Sequence, residues 1–244
     1  MTVRVRARHS PDPNVANVAA LIGDRTRAAM LFALLDGGAL PASELAYRGA
    51  ASPQAASAHL RKLVDGRLLA VAPVGRQRLY RLTSRDVARA IEALLLIAPP
   101  PRIVALTQHS ATQRLRAARV CYDHLAGRLG VAITDALLAR RLLRAGGAEF
   151  SVTRRGERFF EGLGIDVPAL RGRRRPLARP CMDWTERRAH LAGSLGMQLR
   201  DCFVANDWVT RHARDRSLTL TERGRRAVAR LFGLGAVPTQ STPA

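Results

Sequence analysis

The segment HLAGRLG at 124–130 recurs as HLAGSLG at 190–196, and a repeat within one chain restricts the folds open to it. The residues after each copy also align: Asp135 with Asp201, FSVT at 150–153 with LTLT at 218–221, and Arg155-Gly156 with Arg223-Gly224. Several matches in one register point to an internal duplication. Each copy reads as helix, second helix, short strand, and a further helix opened by T-x-R-G. The copies run from about 121 to 166 and from about 181 to 235. Neither is large enough to bury its own apolar face, so the two are expected to pack around a pseudo-twofold axis as one helical C-terminal domain over 107–235. Between them VPALRGRRRPLARP has the proline and arginine content of an exposed connection.

Each copy carries a cysteine ahead of the shared histidine: Cys121-x-x-His124 in the first, and Cys181 with His190 in the second. Thiolate and imidazole are ligands for zinc or another thiophilic metal, and four such groups meeting across a pseudo-twofold axis would close a tetrahedral site. On a helix, positions i and i+3 put Cys121 and His124 on one face, whereas the spacing of Cys181 from His190 matches no standard metal pattern. Two other readings stay open. The cysteines pack as small hydrophobes while the histidines help start the HLAG helices, or a thiol senses oxidants or electrophiles. Asp123, Asp183, Trp184 and Glu186 are candidates for a ligand pocket under any of these. Cys202, beside Phe203 and Val204, is assigned to the core. Three cysteines, an odd number, do not describe a secreted disulfide framework and are expected as reduced thiols.

The first hundred residues have a different grammar. Val15, Val18, Leu21 and Ile22 fall at helical spacing, Asp24 stands as an N-cap, and Met30, Leu31, Leu34 and Leu35 form a second apolar stripe that Gly37 and Gly38 end. PASELAYRG is a short helix. SPQAASAHLRKLVDGRLL then opens with Ser52 as N-cap and Pro53 at the first helical position, which predicts a helix to about Asp65. Ala56, Leu60, Leu63 and Val64 share one face; Gln54, Ser57, Ala58 and Arg61 share the other. Small residues on that second face let a helix lie deep in a major groove, and Gln54 and Arg61 reach base edges or phosphates. LLAVAPVGRQRLYRLTS reads as two strands about Pro73, Val74 and Gly75, a hairpin whose tip carries Arg76, Gln77 and Arg78. RDVARAIEALLLI closes the unit as an apolar helix before the APPPR linker.

This order of elements, with S-x-H-L-x-x-L at 57–63 and R-x-Y-x-L at 78–82, resembles the arsenic-repressor (ArsR) family of winged-helix regulators over roughly residues 14–98. The resemblance implies a winged helix-turn-helix that binds double-stranded DNA, a homodimer paired through its first and last helices, and repression until an effector binds. It implies DNA contacts at Gln54, Ser57, Ala58, His59, Arg61, Lys62, Arg76 and Arg78; for His59 a satisfied helix histidine is an equal reading. The chain departs from the family's metal sites. SELAYRG offers no thiol where paired cysteines stand, and the last helix has Asp86 and Glu92 but no histidine. Any switch is therefore expected in the duplicated half, with an effector that the sequence does not name.

The expected architecture is mainly α with small β-hairpins (α+β): a disordered arm at 1–13, a winged helix-turn-helix at 14–98, a linker at 99–106, the duplicated domain at 107–235, and a disordered tail at 236–244. A formal charge of +21 attracts phosphate polyanions. It is weaker evidence than residue order, because nearly every base is arginine, Lys62 being the one lysine, and the excess is spread over both halves. The opening MTVRVRARHSPDPNV lacks the apolar stretch of a signal peptide, and no run of eighteen apolar residues exists, so a cytoplasmic protein without membrane spans is expected. A regulator, not an enzyme, is the expectation. A nucleoside-binding methyltransferase lacks its G-x-G cluster, while a thiol enzyme would need His124 or His190 as the base for Cys121 or Cys181. The remaining alternative is a sequence-indifferent DNA-packing or RNA-binding protein, which the charge favours and the scarcity of aromatics disfavours.

Overall fold

The computed structural model describes residues 13–99 and 105–235. Residues 1–12, 100–104 and 236–244, which hold nearly all of the expected arm, most of the expected linker and the expected tail, lie outside the described residues. The chain forms two compact units, one of residues up to Phe32 with Ala39–Thr83, the other of Ala33–Gly38 with Ser84 onward.

The first unit runs α1 (Val15–Ile22), α2 (Arg25–Ala33), β1 (Leu40–Pro41), α3 (Ala42–Arg48), α4 (Pro53–Asp65), β2 (Leu69–Val74) and β3 (Gln77–Leu82), the last residue of α2 belonging to the second unit. Asn14 caps α1 by accepting from the Asn17 amide at 3.1 Å, and Asp24 accepts from the Arg27 amide at 2.9 Å where α2 begins. Arg27 in turn donates to the Leu21 and Ala20 carbonyls, both at 2.7 Å, satisfying the open end of α1. The strands form one antiparallel sheet in the order β1-β3-β2, with Leu69 opposite Leu82 and Val74 opposite Gln77. Pro73 and Val74, expected in the turn, are the last residues of β2; the turn is Gly75-Arg76, with Gly75 at φ 58°. Proline is tolerated there because β2 is an edge strand. Met30, Leu31, Leu45, Leu60, Leu63 and Leu82 are buried as the core of this winged helix-turn-helix.

The second unit starts with α5 (Arg85–Ile97) and α6 (Leu106–Ala117). The sequence pattern closes the winged domain with α5, but α5 belongs to the second compact unit. Ion pairs tie it to that unit: Glu92 of α5 accepts from Arg216, 124 positions along, and Arg85 pairs with Asp123 at 3.5 Å. Next come β4 (Arg119–Cys121), β5 (His124–Ala126), α7 (Gly127–Ala139), β6 (Leu143–Gly146), β7 (Glu149–Val152), α8 (Arg154–Glu161) and the short α9 (Val167–Arg171). The second copy supplies β8 (Arg179–Met182), β9 (Ala189–Ala192), α10 (Gly193–Ala205), β10 (Val209–Arg211), β11 (Leu218–Leu220) and α11 (Glu222–Phe232).

Each copy is thus hairpin, long helix, hairpin, helix. This corrects two expectations. HLAG does not begin a helix: its first three residues are a strand, and the helix begins at the glycine. Gly127 at φ 75° and Gly193 at φ 93° make that change of direction in left-handed backbone. A methyl group there would also lie 2.7 Å from the Arg116 carbonyl or 2.6 Å from that of Leu177. The expected second helix is absent too, and a β-hairpin comes after the long helix in both copies. The T-x-R-G expectation is met, since Thr153 and Thr221 accept from the amides of Gly156 and Gly224 at 3.0 and 2.9 Å and so cap α8 and α11.

The copies interlock. Helix α7 packs on β9 of the other copy, α10 packs on β5, and β5 and β9 touch. Gly130 of α7 lies against the Cβ of His190, and Gly196 of α10 against the Cβ of His124. One hydrophobic core runs through both, with Leu129, Leu137 and Phe160 from the first copy and Leu195, Phe203 and Phe232 from the second.

Candidate functional site

Helix α4 is built to present one face. Ser52 accepts from the Ala55 amide at 3.3 Å, Pro53 occupies the first turn, and Gly66 ends the helix. Ala56, Leu60 and Leu63 anchor it in the core, while Gln54, Ser57, Ala58, Arg61 and Lys62 are exposed. His59 lies off that row: its side chain is 23% exposed and its Nδ1 is 3.7 Å from the Asp24 carboxylate. That contact helps hold Asp24 below the usual carboxylate range, where the Arg27 amide is the larger cause. Arg76 and Arg78 are exposed on the β2–β3 hairpin, and Arg81, which the sequence pattern does not single out, is exposed further along β3.

The second unit brings together what the sequence holds apart. Cys121 pairs with His124 across β4–β5, and Cys181 pairs with His190 across β8–β9. Neither pair is helical, so the i, i+3 argument does not apply. The two spacings are one geometry, two cross-strand neighbours, with a tight turn in one hairpin and a longer loop in the other. Tyr122, at φ 56°, makes the tight turn. Among the described residues these four side chains form a cluster able to hold a metal ion, each offering a ligand atom within 4.8 Å of the others. The imidazoles meet edge to edge, with Nε2 of His124 3.1 Å from Nε2 of His190.

A carboxylate stands behind each ring. Asp123 faces Nδ1 of His124 and Asp183 faces Nδ1 of His190, both at 3.1 Å. Burial opposes their ionisation, but the histidines and the arginines beside them outweigh it and hold both carboxyls well below the ordinary range. For Asp123 the arginines are Arg175, at 2.7 and 3.0 Å, and Arg85, at 3.5 Å. Asp183 is fully buried; it pairs with Arg119 at 2.9 Å and accepts from the Gly127 amide at 2.7 Å and the Thr185 hydroxyl at 2.7 Å. Arg119 stacks over the Trp184 ring at 4.6 Å, so Trp184 serves this support and does not line the cluster. The Glu186 amide also donates to Asp183, at 3.2 Å. The signal that would have found this support is a second recurrence: C-x-D stands at 121–123 and again at 181–183.

The thiols differ. Cys121 donates to Cys181 and is buried beside Glu92, which pushes it up to about 12; the same bond, with Arg179, lowers Cys181. Cys121, His124 and Cys181 line one side of a cavity of about 180 Å³, whose other walls include Arg85, Arg89, Arg175 and Arg179. Cys202 stands apart from the cluster, packed against the core.

A helix-turn-helix domain family matches residues 22–72. An uncharacterized HTH-type transcriptional regulator of Bacillus subtilis, YdfF, is 40% identical over 214 residues, which are 88% of this chain and 95% of that protein. Solved structures similar to the N-terminal third include the homodimeric winged helix-turn-helix DNA-binding domain of a possible ArsR-family regulator from Mycobacterium bovis. It is 26% identical, with 34% of this chain and 76% of that one covered and a TM-score of 0.31. HlyU from Vibrio cholerae is 29% identical over 33% of this chain and 86% of its own, with a TM-score of 0.31.

Proposed function

The chain belongs to the HTH-type transcriptional regulators, and from that premise we propose that it is a cytoplasmic, homodimeric repressor that reads duplex DNA with α4 and the β2–β3 wing. One observation carries the reading: α4 is anchored by Ala56, Leu60 and Leu63 and presents Gln54, Ser57, Ala58, Arg61 and Lys62 to solvent. Small Ser57 and Ala58 allow close approach to the groove floor; Gln54 and Arg61 suit base edges, Lys62 suits phosphate, and Arg76 and Arg78 suit the neighbouring backbone or minor groove. His59, turned to Asp24, fastens α4 to the start of α2 and leaves the reading to its neighbours. Among the described residues no helix is long and apolar enough to cross a membrane.

Pairing of two copies is supported by apolar residues exposed on helices: Val15 and Val18 on α1, Leu94 and Ile97 on α5. The role is regulatory, not catalytic. Release by an effector is assigned to the second unit, because α3 carries no thiol and Glu92 of α5 is committed to Arg216. The effector would favour the dimer that does not fit the operator.

A footprint of the purified chain on its own promoter region tests this. Protection of an inverted repeat with half-sites about 10 base pairs apart, centre to centre, is the expected result. Uniform coating that collapses with salt would instead establish the sequence-indifferent packing reading.

A further inference from the structure

The two imidazoles of the second unit meet nitrogen to nitrogen. Each Nδ1 faces a carboxylate at 3.1 Å, which leaves the Nε2 atom of each ring turned toward the other ring. Those two nitrogens are 3.1 Å apart, close enough to be ligands of one ion. The sulfurs of Cys121 and Cys181 belong to the same cluster, whose four ligand atoms lie within 4.8 Å of one another.

We propose that Cys121, His124, Cys181 and His190 bind one divalent cation of the zinc class in a closed tetrahedral site contributed equally by the two repeats. The donor set is two thiols and two imidazoles, the composition of structural zinc sites. A tetrahedral zinc with bonds of roughly 2.0–2.3 Å sets its ligand atoms about 3.3–3.8 Å apart, and these four fall within 4.8 Å with the nitrogens at 3.1 Å. On binding, each thiol gives up its proton to solvent and its sulfur binds the metal as a thiolate, and the imidazoles bind in their neutral form, so two thiolates balance the dication. Asp123 and Asp183 supply no uncompensated negative charge, since Arg175 and Arg85 answer the first and Arg119 the second. They are the carboxylate supports that metal-bound histidines usually have, and they fix both rings before the ion arrives. The 180 Å³ cavity beside Cys121, His124 and Cys181 gives an ion a way in.

Metal binding stands independently of the DNA reading, and its test uses no DNA. The full chain is purified under reducing conditions without chelator and analysed for metals, then stripped and titrated with Co²⁺. The expected results are one divalent ion per chain and, with Co²⁺, a thiolate charge-transfer band with the intense visible bands of tetrahedral coordination. Cys181→Ser and His124→Gln should each weaken Co²⁺ binding at least about tenfold while the far-ultraviolet circular dichroism is kept. If either variant fails to fold, the wild-type cobalt spectrum decides. Substoichiometric metal with no charge-transfer band overturns the site. So does peptide mapping that finds Cys121 and Cys181 joined as a disulfide in the reduced preparation.

Discussion

Asp123 and Asp183 show how much of a site is carried by residues that would never touch its ligand. Asp123→Asn keeps the shape and one acceptor but removes the charge that faces Nδ1 of His124. Metal affinity should fall about 10- to 100-fold, read by competition with a chelating dye, and an unchanged affinity would detach the carboxylate from the site. At the other end of the chain, Ser52→Ala removes the cap of α4 and should cost about 1 kcal/mol in urea unfolding. The four clustered residues were legible because they recur with the HLAG motif. Their geometry was not: Cys-x-x-His fits a helix as well as a two-residue turn, and only the pairing of strands decides between them.

Helix α4 was legible end to end because its signals are local: Ser52, Pro53, a spaced apolar face and Gly66. Strand β1 was not, since two residues become a strand only by meeting Leu79 and Tyr80. Nor was the allegiance of α5, which rests on Arg216, far along the sequence. For α4 and the wing, Lys62→Ala and Arg76→Ala should each lower the salt slope of DNA binding by about 1. Gln54→Ala should instead cost about 1–3 kcal/mol at one base position and little elsewhere. The β10–β11 hairpin carries a pH dependence. Burial raises Asp215, but the Ser217 amide at 2.8 Å, then Arg114 at 3.1 Å and His212, outweigh it, so the folded carboxyl releases its proton at lower pH than the unfolded one. Its stabilisation is complete above the unfolded value of about 4 and is lost as pH falls through the folded one. Asp215→Asn should flatten the acid limb of stability measured by denaturant titration; an unaltered limb would show that Asp215 does not contribute to it.

At the scale of the molecule, two compact units with separate cores should answer separately to metal. A metal held by one strand pair from each repeat ties those repeats together, so removing it should lower the unfolding temperature of the second unit and increase amide exchange in β4–β5 and β8–β9. Exchange in α2–α4 should be unchanged. A loss spread evenly over both units would mean that they unfold as one. The reciprocal seating of Gly130 under His190 and Gly196 under His124 also bears on whether one copy could stand alone. Neither copy has a complete floor for its own histidine; each borrows it from the other. A single copy would lack the helix that seats its own histidine, and only a second copy, on the same chain or on another, could supply it.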